Sequence, residues 1–134
     1  MLSNLGNTFV IVALLISFLL VFFSFKEFKT NNNLIPVKIY KISLLQLFFT
    51  ASSFIILLLA YVLSDFSLAN VYENSHTNKP LFYKISGTWG NHEGSLLLWI
   101  NILVLFSSLF LFINKNNDKD FKILTLLFQN ILVI

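Results

Sequence analysis

The residues best suited to chemistry lie together in Thr88-Trp89-Gly90-Asn91-His92-Glu93-Gly94-Ser95-Leu96-Leu97-Leu98-Trp99. There an imidazole stands beside a carboxylate, between the two tryptophans of the chain. A His–Glu pair of this kind could face a substrate or cofactor, with Glu93 as the polar neighbour of His92. A plain structural reading accounts for much of the same stretch. Asn91 is placed to cap a helix that starts just after it, and Glu93 in the first turn is favoured by the helix dipole. Gly87, Gly90 and Gly94 allow tight turns and close backbone approach, while Trp89 and Trp99 suit a membrane–water boundary. His92 beside Glu93 has no such account. His76, in the polar run Asn74-Ser75-His76-Thr77-Asn78, reads as an ordinary loop residue, and no catalytic or metal-ligating set stands out.

The elements that must position these residues are membrane spans. Of the 134 residues, 57% are hydrophobic and 11% charged, well outside a soluble mix. The apolar residues come in blocks with the charges between them, which is the pattern of bilayer helices. Spans are expected at about 7–25, 42–63 and 94–113, with a partial fourth at 121–134. The last run gives about 14 residues, short of the roughly 20 a crossing needs, so the chain reads as the N-terminal piece of a longer or split protein. The fold expected is all-α and integral to the membrane, with one long external loop, 64–93. Within that loop 65–72 suits an extended segment, and Pro80 to Ser86 a short interfacial helix with Gly87 just past its end.

The net charge of +3 rests on lysine alone, with no arginine. Scattered lysines do not make a phosphate-binding face, which excludes nucleic acid as a partner. They do set topology. Four flank the first connection, Lys26 to Lys41, three cluster at Lys115, Lys119 and Lys122, and 64–93 holds Lys79 and Lys84. The positive-inside rule puts 64–93 and the N-terminus on the outer face. Spans without a central ionisable residue argue against a proton relay or an ion-coupled transporter. Ser43, Gln46, Thr50, Ser52 and Ser53 can bond to backbone carbonyls or to a neighbouring helix and read as packing residues, while Asn101, Gln129 and Asn130 read as inter-helix hydrogen-bond partners. The absence of cysteine excludes disulfides, thiolate chemistry and covalent haem attachment to this chain. The bias to Phe, Leu, Ile, Asn and Lys fits an AT-rich genome, such as that of an organelle.

Taken in order and spacing, several stretches resemble the CcmF-type haem lyases of cytochrome c maturation. These are Ser64-Asp65-Phe66-Ser67-Leu68-Ala69-Asn70-Val71, Asn74-Ser75, Leu81-Phe82-Tyr83-Lys84-Ile85 and, most specifically, Trp89 to Trp99. Together they cover about a fifth of the chain. The resemblance implies a large multi-span protein of the mitochondrial inner membrane or the bacterial plasma membrane. Such proteins join haem vinyl groups to the thiols of an apocytochrome Cys-x-x-Cys-His site on the outer face. It implies haem as cofactor of the complete assembly. It also implies a downstream CcmF-like chain or domain, haem-delivery proteins, apocytochrome c and the bilayer as partners. Nothing here matches the family's tryptophan-rich haem-handling loop or its ligand histidines, so Trp89, His92 and Glu93 are expected near haem without ligating it alone. A structural subunit of a respiratory assembly, docking through the loop, is the alternative from another class.

Overall fold

A computed structural model describes residues 2–29, 37–113 and 119–134. These form α1 (Leu2–Phe28), α2 (Val37–Leu63), α3 (Ala69–Asn74), α4 (Leu81–Gly87), α5 (His92–Ile113) and α6 (Lys119–Val133). Three helices, α1, α2 and α5, are long and apolar enough to cross a membrane. The polar residues expected between the first two spans and before the fourth lie partly outside the described residues. α1 and α2, at 27 residues each, outrun the apolar blocks that define them. At 1.5 Å per residue each is about 40 Å long, so lysines such as Lys26, Lys38 and Lys41 belong to the helix ends, where long basic side chains reach the headgroups.

The helices are apolar outside and polar inside. Phe18, Phe22, Phe48, Ile55, Phe106 and Phe128 are exposed, while Ser17, Ser24, Ser43, Gln46, Thr50, Ser53, Ser107, Ser108, Gln129 and Asn130 are buried. On α2 the buried polar residues Ser43, Gln46, Thr50 and Ser53 recur at helical spacing and form one stripe. Lipid is as apolar as leucine, so this stripe, not hydrophobicity, tells the helix which face to turn inward. Gln46 donates through Nε2 to Ser17 Oγ of α1 at 2.7 Å and to Asn130 Oδ1 of α6 at 2.8 Å. The Ser43 and Ser108 hydroxyls meet at 3.0 Å between α2 and α5. Around them pack Ile16, Leu20, Ile39, Leu111 and Leu126.

The reading of polar span residues as inter-helix partners needs two corrections. Asn101 donates back to Leu97 O in its own helix at 2.8 Å, a bond that a helical amide makes with the turn before it. Gln129 accepts from its neighbour Asn130 at 3.1 Å, and among the described residues its Nε2 has no partner. At the end of the bundle away from α3 and α4, Lys119 Nζ lies 3.4 Å from Glu27 Oε1, joining α6 to α1 where both side chains are largely covered. Near the other end α1 and α2 come close, and a Cβ on Gly6 would meet Ile56 at 3.3 Å.

Asn130→Leu should strand Gln46 with Ser17 alone. It is expected to cost about 0.5–1.5 kcal/mol, the range of intramembrane hydrogen bonds. Reversible unfolding in mixed micelles would measure this, and a cycle with Gln46→Leu should give a coupling of similar size; additive losses would mean that the two do not interact.

Candidate functional site

The loop is built outward from Tyr61, fully buried at the end of α2. Past it the chain turns through Ser64, whose φ of 55° is the left-handed conformation that ends many helices. The Ser64 and Asp65 N–H groups close the turn on the Tyr61 and Ala60 carbonyls at 3.2 and 2.9 Å. From α4, Lys84 Nζ donates to Ser64 Oγ at 2.6 Å. Asp65 Oδ1 accepts from the Ser67 N–H at 3.1 Å, and the Ser67 hydroxyl and N–H hold the Asp65 carboxyl below the usual range.

The extended segment expected at 65–72 is instead a turn followed by α3. Leu68 and Val71, three residues apart, lie on one face and pack with Leu57, Ala60 and Tyr61, so a helix buries both where a strand would turn them to opposite sides. α4 follows the expected helix closely: Pro80 precedes its first residue, and the Pro80 carbonyl accepts the Tyr83 and Lys84 N–H groups at 3.0 and 3.2 Å. Gly87 is its last residue, not the one beyond.

At the centre stands Asn91. Its Nδ2 donates to Tyr61 Oη at 2.7 Å and to Gly87 O at 2.9 Å, while its Oδ1 accepts the Gly94 N–H at 2.7 Å, as the capping reading expects. Asn70 of α3 completes the knot. Its Nδ2 lies 2.9 Å from both Asn91 Oδ1 and Glu93 Oε2, and its Oδ1 accepts from the Tyr61 hydroxyl at 2.6 Å. One polar cluster thus ties the end of α2, α3, the end of α4 and the start of α5. Glycine enters through space, because none of the glycines has a positive φ. A Cβ on Gly94 would overlap the Thr88 carbonyl, and one on Gly87 would press on the Tyr61 ring at 3.2 Å.

The three residues singled out in the sequence separate here. Glu93 belongs to the knot and, with Asn70, stands at the mouth of a cleft of about 430 Å³ walled by Val10, Ile56, Leu57, Leu97 and Ile100. His92 and Trp89 are exposed and do not line that cleft. Seven residues apart, His92 and Trp99 share a different face of α5, also exposed at Trp99. Among the described residues no enclosed pocket forms around His92, and Trp89, His92 and Trp99 are all exposed. No group of three or more His, Cys, Asp or Glu able to hold a metal is found among the described residues. Tyr61 and Asn70 escaped the sequence reading. Tyr61 had a faint signal, a polar-tipped ring closing an apolar run; Asn70 had none, since its partners lie 9, 21 and 23 positions away.

Fold and site together define a multi-pass α-helical membrane protein with an ordered loop fastened across one end of its bundle. No family model matches the chain. Its sequence is 63% identical over 67 residues to the cytochrome c-type biogenesis protein CycK of Bradyrhizobium diazoefficiens, covering 50% of this chain and 10% of that protein. It is 34% identical over 123 residues to the cytochrome c-type biogenesis protein NrfE of Haemophilus influenzae, covering 91% and 19%. The solved cytochrome c haem lyase CcmF superposes with a TM-score of 0.86 at 25% identity, over 99% of this chain and 22% of that one. The chain belongs to the CcmF-type family of cytochrome c biogenesis proteins, of whose curated members it matches about a tenth to a fifth of the length.

Asn91→Asp keeps the acceptor for the Gly94 N–H but loses both donated bonds, whereas Asn91→Leu loses every polar contact. Limited proteolysis in membranes should show the loop cut several-fold faster in Asn91→Leu than in Asn91→Asp, because an N-cap is worth about 1 kcal/mol. Equal cutting of both variants would mean that the cap contributes nothing.

Proposed function

We propose that this chain is the N-terminal part or subunit of a membrane haem lyase that attaches haem covalently to apocytochrome c on the outer face of the membrane. The observation that carries this reading is the fold likeness over 99% of the chain to a solved haem lyase, with the Trp89 to Trp99 segment fastened by Asn91 at the end of the bundle. The chain acts as a non-catalytic portion. Its exposed Trp89 and His92 form one wall of a site near haem, and Glu93, held by Asn70, fixes the start of α5 beside them. Haem is carried by the complete assembly, with its ligands on residues outside this chain. A downstream CcmF-like chain or domain, haem-delivery proteins and apocytochrome c are the partners.

The chemistry available to these residues is modest and specific. Flat indole surfaces suit a porphyrin edge, and an imidazole can hydrogen-bond a polar substituent. The lysine bias supports an orientation with loop and N-terminus outside. Residue usage favours the mitochondrial inner membrane; the relatives are bacterial, where the equivalent is the plasma membrane.

Loss of the chain should abolish haem-stained c-type cytochromes while b-type cytochromes persist, and the wild-type chain should restore them. Trp89→Ala combined with His92→Ala should lower attached haem by roughly tenfold, the scale of about 1.4 kcal/mol of lost contact, at unchanged chain level. Normal c-type cytochromes after loss of the chain, with a respiratory complex failing to assemble, would favour the structural-subunit reading instead.

A further inference from the structure

The seam between α5 and α6 holds two buried polar groups that nothing described satisfies. Ser107 Oγ and Gln129 Nε2 both lack a hydrogen-bond partner among the described residues, and both residues are more than nine-tenths buried. They line the same groove, of about 350 Å³, whose remaining walls are Leu103, Phe106, Phe110 and Thr125. Below it the seam is closed by the edge-to-face pair Phe110 and Phe121, 5.7 Å between centroids. Thr125, on the same wall, donates its hydroxyl to Phe121 O at 2.8 Å and makes no bond to Gln129 or Ser107. Gln129 lies about 15 Å along α6 from Lys119, at the depth of the hydrocarbon.

Elsewhere in the bundle Gln46 Nε2 is paired across helices with Ser17 and Asn130, and the Ser43 hydroxyl with that of Ser108. An unpaired amide donor in hydrocarbon costs several kcal/mol, and lipid tails offer it no acceptor. We propose that this groove seats a transmembrane helix from outside the chain, one that presents an uncharged hydrogen-bonding side chain, Ser, Thr, Asn or Gln, to Gln129 and Ser107. An uncharged partner matches the seam, because a carboxylate at mid-bilayer would itself need burial and pairing that the apolar walls do not supply. Relatives five to ten times the matched length have ample further chain from which to provide such a helix. The inference stands on helix surfaces and is independent of the haem reading.

Phe106, which lines the groove and is exposed, is replaced in the native membrane by its photo-cross-linking analogue p-benzoylphenylalanine, and the membrane is irradiated. The adduct is then mapped by mass spectrometry. Expected is attachment to an apolar segment outside these 134 residues, with Ser, Thr, Asn or Gln within one turn of the linked residue. Adding Gln129→Met, of similar shape without the amide, should reduce that product by roughly three- to tenfold at equal chain level, the scale of one intramembrane hydrogen bond. Gln129→Leu, which also lacks the amide, is the second variant should the first fail to accumulate. Attachment to lipid alone, to another copy of this chain, within the chain itself or to nothing would overturn the proposal, as would a product indifferent to Gln129.

Discussion

In a bilayer a polar group that leaves water must find its partner inside the protein, and most of this architecture follows from that constraint. The side chains that decide helix orientation are the amides and hydroxyls of the interior, because Phe and Leu are as comfortable against lipid as against each other. Gln46 shows how a single residue acts on three helices, reaching Ser17 on α1 and Asn130 on α6 from α2. At the other end Asn91 does the same for four elements, through Tyr61, Gly87, Asn70 and the Gly94 N–H.

The two polar centres divide the work. The mid-bundle network sets which faces meet and leaves the apolar exterior to lipid. The Asn91 knot converts a connection that topology alone does not require into an ordered cap, with α3 packed on Tyr61 and the start of α5 pressed against Thr88. Gly94 is the point where sequence and geometry meet most tightly, since any side chain there would displace the Thr88 carbonyl. The consequence for function is that Trp89 and His92, although exposed, stand on a fixed base.

Much of this was legible from residues alone. Blocks of apolar residues between lysines gave the spans, and Asn91 followed by Glu93 and a long apolar run gave the start of α5, because capping is a local interaction. The helices ran longer than their apolar cores, since hydropathy marks the hydrocarbon and not the last backbone hydrogen bond. α3 was missed because Leu68 and Val71 need Tyr61 to show that they share a face. The pairing of His92 with Glu93, adjacent in sequence, did not survive the helix. A turn of about 100° per residue sends Glu93 to the knot and His92 to the surface it shares with Trp99. Asn70 had no local signature at all.

The central claim is that the Asn70–Asn91–Tyr61 knot holds the loop and the first turn of α5 as one ordered unit. Amide hydrogen exchange at Gly94 tests it most directly, since that N–H is bonded to the Asn91 side chain at 2.7 Å and not to the helix backbone. The account predicts slow exchange at Gly94 in the intact protein, accelerated by at least about tenfold in Asn70→Ala, a change that leaves Asn91 in place and removes about 1.4 kcal/mol of its support. Exchange at Gly94 that is as fast as in an unfolded chain, or that is unmoved by Asn70→Ala, would contradict it.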